Sequence, residues 1–434
     1  MTAGNTDAAR PWGVHYAWVV VAVAFVTFLV AAGIRSAPTV LIVPLENEFG
    51  WSRADISFAI GVQLLCYGLI GPFAAGLAER FGLRVTLLGA IALTALSFGT
   101  TVLVSAPWQL VLVWGLGSGI GTGAAALVLA AIIANRWFVA RRGFALGVLT
   151  ASAAGGQLVF LPLIAYVTAA LGWRAAVGIA SLIALVVLPP VFFLMRDRPA
   201  DVGLRPYGVP EDAPAEPPVR RANPITAAFL ALGDAVRSRD FWLLSGSFFV
   251  CGATTFGLMG THFIPACLDH GIPEETAANV VASMGICALI GTTVSGWLTD
   301  RFDSRRLLCG YYALRGVSLL FLPYALDNSF WGLIAIGLFN GLDWITTVPP
   351  TMRLTTSIFG VQRAGIIYGW VMVMHQFGAA VFAFAAGVLR TESGTYSSAF
   401  IISSGFCLAA ALLVLRIARP PAASSRPVLA TAEA

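Results

Sequence analysis

Apolar residues run through this chain in long blocks, not in the alternation of a half-buried strand. The blocks span about 20 to 28 residues, and roughly 20 such residues cross about 30 Å of hydrocarbon as a helix. They predict helices near 16–44, 54–78, 85–104, 108–134, 143–170 and 174–195, and again near 240–267, 276–299, 306–325, 330–352, 364–389 and 397–417. A membrane barrel strand needs only about ten residues of alternating polarity. Continuous apolar runs satisfy their backbone groups in lipid as helices. The pattern therefore predicts an all-α polytopic membrane protein: six helices, a polar interruption and six more. No short cleavable leader precedes the first run, which is expected to remain a membrane helix.

The interruption, 196–238, holds Pro199, Pro206, Pro210, Pro214, Pro217, Pro218 and Pro224 among mixed charges. It reads as a linker between a half at 1–195 and a half at 239–434, with a short surface helix expected within 224–238. The chain repeats itself across it. Ala75-Gly76-Leu77-Ala78-Glu79-Arg80-Phe81-Gly82-Leu83-Arg84 follows the second run, and Gly296-Trp297-Leu298-Thr299-Asp300-Arg301-Phe302-Asp303-Ser304-Arg305 follows the eighth. Leu, an acid, Arg, Phe and a final Arg fall at the same relative positions. Two pseudo-symmetric six-helix halves around a central cavity are transporter architecture, in which one half rocks against the other.

Composition supports the membrane reading. The chain is 58% hydrophobic and 11% charged, with mean hydropathy +0.84, whereas a soluble domain carries roughly a quarter charged residues. The net charge of +5 comes from arginine alone, because there is no lysine. These arginines mark topology, not a nucleic-acid surface. Arg10, Arg80, Arg84, Arg136, Arg141, Arg142, the linker arginines, Arg301, Arg305, Arg306, Arg353, Arg363, Arg416, Arg419 and Arg426 fall on the side of the termini. Only Arg53, Arg174 and Arg390 fall opposite. The positive-inside rule then predicts cytoplasmic termini in a plasma membrane, the inner membrane of a bacterium. Cys66, Cys251, Cys267, Cys287, Cys309 and Cys407 lack metal-ligand spacing and read as small buried side chains. No metal or cofactor is expected.

The repeated loops resemble the loop between helices 2 and 3 of the major facilitator superfamily and its counterpart in the second half. The resemblance implies that Glu79, Arg80 and Arg84, with Asp300, Arg301 and Arg305, link helix ends and stabilise one gate state. The first copy departs from the pattern, with Glu79 for the usual Asp and Leu83 for a basic residue. A narrower resemblance rests on Arg136-Trp137-Phe138-Val139-Ala140-Arg141-Arg142-Gly143-Phe144-Ala145-Leu146-Gly147 and on Leu171-Gly172-Trp173-Arg174. Both segments look like the monocarboxylate transporter group, which includes the oxalate/formate exchangers. Arg35-Ser36 stands where the animal members carry Lys-Ser, whose cation is thought to help receive carboxylate and proton. Those members also place an Asp and an Arg four residues apart in helix 8. Here Ala288 to Thr292 is uncharged, so their proton-coupling device does not carry over intact. The resemblance also implies a monomer.

Among single residues Arg35 comes first. It is a permanent charge about 19 residues into the first helix, toward the outer half of the cavity. Its planar fork suits carboxylate capture; a helix cap or a snorkelling side chain is the alternative. His262 lies at similar depth in the seventh helix, with Thr255, Met259 and His262 on one face. It is a candidate for the coupling proton or for the substrate, or else a histidine bonded within helix packing. Asp343 and Arg315 reach one depth on neighbouring helices and should pair, unless Asp343 turns to the cavity as a proton carrier. Gln63, Tyr67, Asn340, Thr347, His375 and Gln376 are candidate hydrogen-bonding groups for the substrate, or helix–helix contacts. Asp55, Asp269, Glu274 and Glu275 read as loop charges without a special role. The glycines Gly115, Gly117, Gly119, Gly121 and Gly123 lack the Lys and Ser/Thr of a phosphate loop and read as close helix packing. Pro349-Pro350 is expected to kink the tenth helix.

No nucleophile–base set appears, so the chain does not read as an enzyme. The expectation is a secondary transporter of the superfamily's twelve-helix fold. It would move a small organic anion, a monocarboxylate or related carboxylate, by alternating access with a proton as coupling ion. The repeated loops would latch the cytoplasmic gate in the outward-open state. Carboxylate exchange, efflux of a drug or metabolite, and a non-transporting membrane sensor stay open as alternatives.

Overall fold

The structure is a computed structural model that describes residues 15–125, 127–210, 224–328 and 330–418. Arg10, Arg220, Arg221, Arg419 and Arg426 lie outside them. Twelve described helices are long and apolar enough to cross a membrane: α1 (Tyr16–Phe49), α2 (Arg53–Phe81), α3 (Leu83–Leu103), α4 (Pro107–Trp137), α5 (Arg142–Leu171), α6 (Trp173–Leu194), α7 (Arg239–Asp269), α8 (Glu274–Arg301), α9 (Ser304–Asp327), α10 (Trp331–Phe359), α11 (Arg363–Ser393) and α12 (Ser397–Val414). Their outward faces keep large apolar side chains exposed, such as Leu96, Val186, Phe193, Phe321 and Leu412. Such a surface suits lipid.

Helix packing repeats with a shift of six. α1 packs on α5 as α7 packs on α11, α2 on α4 as α8 on α10, and α3 on α6 as α9 on α12. The seams between halves obey the same rule, since α2 lies on α11 and α8 on α5. Glycine sets the spacing at matching places. A Cβ on Gly156 of α5 would strike the Leu29 carbonyl of α1, and one on Gly378 of α11 would strike the Phe249 carbonyl of α7. In lipid such close backbone approach replaces the hydrophobic drive that holds soluble helices together.

An even number of crossings brings residue 15, residues 195–210 and 224–238, and residue 418 to one end, called here the linker end; the other is the distal end. The Tyr16 hydroxyl donates to Leu194 O (2.8 Å), and the Ala418 amide donates to Asp240 Oδ1 (3.0 Å). The helix Pro224–Ala235 crosses the linker ends of α2 and α11. Trp370 Nε1 donates to its Ala228 carbonyl (3.0 Å), and Arg363 pairs with its Asp234 (3.0 Å).

Several helices depart from regular α geometry where they meet the centre, among them α4, which runs through a π-helical stretch at Val111–Ser118. α1 is interrupted at Ala37, α7 passes through a π-helical turn at Ala253–Met259, and α10 breaks between Asp343 and Val348. The break in α10 precedes Pro349-Pro350 by one turn. The prolines open the second segment, where a missing amide proton costs nothing.

Candidate functional site

Arg35 lies in the last turn of Tyr16–Ser36. Pro38 brings no amide proton, and the Ala37 amide bonds instead to both the Gly33 and Ile34 carbonyls (3.1 and 3.2 Å). The helix is thus interrupted just past Arg35. The guanidinium is half-buried, 5.0 Å from the ring centroid of Tyr67 on α2 and 5.0 Å from that of Phe256 on α7. Among the described residues it meets no carboxylate and no hydrogen-bond acceptor. An arginine at the centre of a membrane helix costs about 2.5–3.5 kcal/mol on insertion scales, and a desolvated cation–ring contact contributes about 2 kcal/mol. Two rings therefore make the unpaired charge tolerable and leave its N–H edge free.

Two small cavities flank this edge. One of about 30 Å³ lies among Phe28, Ala31, Tyr67, Thr122 and Ser152; the other, of about 20 Å³, lies among Ser36, Thr39, Gln157, Phe256 and Thr261. Arg35 lines both. Each has room for only about one or two water-sized molecules, so anything larger fits only when the walls part.

Phe256 owes its position to the π turn, and it is braced edge-on by Trp344 (5.9 Å) and His375 (5.6 Å). His375 is buried, packs on Phe248 (4.9 Å) and leaves Nδ1 without a partner among the described residues. Of the other candidates, Tyr67 reaches Arg35. Gln63 instead donates from Nε2 to Ser118 Oγ on α4 (3.3 Å), and Gln376 packs against Gly68 of α2.

Asp343 and Arg315 are joined by a 2.6 Å bond from Nε to Oδ2, both side chains buried. Arg315 does more than pair. Nη2 donates to the Asp343 carbonyl (2.7 Å) and Nη1 to Thr255 Oγ1 (2.8 Å) and Cys251 Sγ (3.2 Å). One guanidinium caps the broken end of α10 and ties it to α7 and α9. Asn340 shares its helical segment and face with Asp343, but Thr347 does not continue that face, because the helix stops between them. Asn340 bonds Ile336 O (2.9 Å) and meets Ser318 of α9, while Thr347 contacts Cys251 Sγ (3.2 Å).

The face expected from Thr255, Met259 and His262 does not form. The π turn inserts a residue, as the Thr261 hydroxyl bonded to Phe256 O five positions back shows (2.9 Å). Thr255 turns to Arg315, Thr261 lines the second cavity, and His262 points to the distal end. There it contacts Tyr396 Oη (3.1 Å) and Ala383 O (2.7 Å).

That corner also corrects the reading of Asp269 as a plain loop charge. Asp269 at the end of α7 accepts from Arg53 of α2 through both oxygens (2.7 and 2.9 Å) and from Arg390 of α11 (2.7 Å). Arg53 also bonds Glu46 (2.8 Å) and Tyr396 Oη (3.2 Å). Arg53 and the Thr39 hydroxyl, which donates to Thr261 O (2.7 Å), join the halves directly at the distal end. A sequence signal existed. Each of the three distal arginines has an acid at its own end, since Arg174 pairs with Glu48 (2.5 Å).

The repeated loops bind within their own halves in this state. Glu79 pairs with Arg136 of α4 (2.8 Å), the Arg84 amide donates to Asp197 (2.8 Å), and Arg80 lies over Phe81. Asp300 pairs with Arg353 of α10 (3.3 Å), Arg301 lies over Trp297, and Arg305 holds Asp303 (2.6 Å) while donating to Ile417 O (3.1 Å). The Arg305 guanidinium keeps the Asp303 carboxyl below its usual range.

Comparison with known proteins gives one consistent result. The family model described as Major Facilitator Superfamily matches residues 23–266 and 261–432. Human monocarboxylate transporter 11 is 26% identical, over 96% of this chain and 86% of its own length. The oxalate:formate antiporter of Oxalobacter formigenes is 24% identical over 93% of each chain. An uncharacterised MFS-type transporter of Bacillus subtilis, YcxA, is 24% identical over 86% of this chain and 88% of its own. Among solved structures, an inward-facing bacterial homolog of the human lysosomal transporter Spinster superposes with a TM-score of 0.68 at 16% identity, over 92% of this chain and 95% of its own. That likeness concerns the fold.

Proposed function

The chain belongs to the Major Facilitator Superfamily and is a membrane transporter, not an enzyme, and from that premise we propose that it carries a small carboxylate held by Arg35. The observation that supports this most is the contrast between its two deep arginines. Arg315 is neutralised by Asp343, while Arg35 keeps an unused N–H edge between two cavities. A lone, half-buried cation matches a single anionic group, and the fork geometry matches a carboxylate. Relatives named for monocarboxylates and for oxalate and formate agree with that charge class.

The halves 1–195 and 239–434 rock about the α2–α11 and α5–α8 seams, tethered by 196–238. The arginine-rich linker end faces the cytoplasm and the distal end faces outward. With Arg53 on Asp269 the outer side is closed; when the halves rock, the loops at Glu79–Arg84 and Asp300–Arg305 close the inner side. Import is coupled to a proton, and the carrier acts as a monomer in the plasma membrane.

The test is uptake of a panel of labelled small carboxylates into proteoliposomes, with and without an acid-outside gradient. Accumulation that collapses with the gradient is expected. Uptake only into vesicles preloaded with an acid would replace the reading by exchange, and no uptake in either condition would remove the carboxylate.

A further inference from the structure

The distal corner holds a histidine whose tautomer the structure fixes. Ala383 O is a carbonyl and only accepts, so Nε2 of His262 donates to it, and in a neutral imidazole Nδ1 is then bare. Nδ1 must then accept from the Tyr396 hydroxyl, which in turn accepts from Arg53 Nη1. Burial holds the Tyr396 hydroxyl up at about 12, so its proton is there to donate. With a neutral imidazole the order Arg53 to Tyr396 to His262 to Ala383 runs in one direction.

Arg53 is the member that crosses between the halves. Asp269, Arg390, Tyr396, His262 and Ala383 all belong to the second half. The charges around the histidine are Arg53 of α2, Glu46 of α1, Asp269 of α7 and Arg390 of α11, and they balance, two against two. Nearby, α8 opens with Glu274 and Glu275, and His270 pairs with Asp327 of α9 (2.7 Å).

We propose that His262 is the proton-binding site that releases this latch: a proton on Nδ1 and the guanidinium of Arg53 compete for the same second-half cluster. A proton there turns the acceptor into a donor. Tyr396 Oη would face two donors, its own hydrogen would lose its acceptor, and a third positive charge would stand one hydroxyl away from Arg53. Expelling Arg53 restores two positive charges against Asp269 and parts the halves at the distal end. A proton from outside thus opens the outer mouth, which gives the carboxylate its route to Arg35. This rests on the transport reading above, yet the latch is measurable without any substrate.

The experiment places a cysteine at Ser57, a fully buried residue on α2 one turn inside Arg53 whose hydroxyl has no partner among the described residues. A membrane-impermeant maleimide is applied from outside at about pH 8 and about pH 4, low enough to load an imidazole desolvated by burial, with the chain lacking S57C as background. Labelling of S57C, normalised to a free thiol at each pH, is expected to rise in acid, by at most about tenfold for each pH unit over which one proton binds. His262→Gln and, as a second variant that keeps the ring, Tyr396→Phe should flatten that response. Arg53→Gln should label strongly at both values. Equal labelling of S57C at the two pH values, or an acid response that survives His262→Gln, overturns the proposal. An acid response in a protein that takes up no carboxylate would sustain the latch and sink the transport reading. Gradient-driven uptake with flat labelling would do the reverse.

Discussion

Arg35 depends on its neighbours for the orientation of its fork. Phe256→Leu keeps the apolar bulk and removes the ring, so the KM for carboxylate should rise about 2- to 30-fold, the range of a cation–ring contact, while Phe256→Tyr should stay near the parent. Equal KM in Phe256→Leu would show that the ring only fills space. The other deep arginine predicts stability, not affinity. Asp343→Asn leaves Arg315 buried without its counter-charge, so unfolding stability in detergent should drop by about 3–5 kcal/mol. Replacing both partners, Arg315→Met with Asp343→Leu, should recover most of that loss in the same melt. Arg35 stands out in the sequence because nothing near it carries a negative charge. Phe256 does not, since one phenylalanine among 28 carries no mark of its partner.

At the scale of elements, the apolar blocks show all twelve helices, because lipid demands length and continuity from each span. What they hide is how a helix deviates inside its block. The π turn at Ala253–Met259 rotates everything beyond it, which is why Thr255 and His262 part company although seven residues apart they should share a face. The break after Asp343 has the same effect on Thr347. Counting inward gives the common depth of Arg315 and Asp343, but not that Arg315 also caps the broken helix. Close packing yields its own expectation. Gly156→Val would push α1 off α5 at the Leu29 carbonyl, with a loss of about 1–3 kcal/mol. Because Arg35 rides on α1, carboxylate affinity should fall with stability in that variant, whereas Gly296→Val, where open space surrounds the Cβ, should spare both.

For the whole molecule, the repeat at Glu79–Arg84 and Asp300–Arg305 makes the two-half plan readable from sequence, and the six-shifted packing is its physical expression. The distal latch is less readable, because Arg53 and Asp269 are 216 positions apart and ordinary in composition. Its presence joins the halves at the distal end, with two small cavities beside Arg35 at the centre. The central claim is that one unpaired arginine holds one carboxylate inside this shell. Direct binding of labelled monocarboxylates to the purified protein in nanodiscs, beside Arg35→Gln, tests it without requiring transport. Saturable binding to the parent that disappears in a folded, monodisperse Arg35→Gln is the expected result. Undiminished binding to Arg35→Gln would contradict the account.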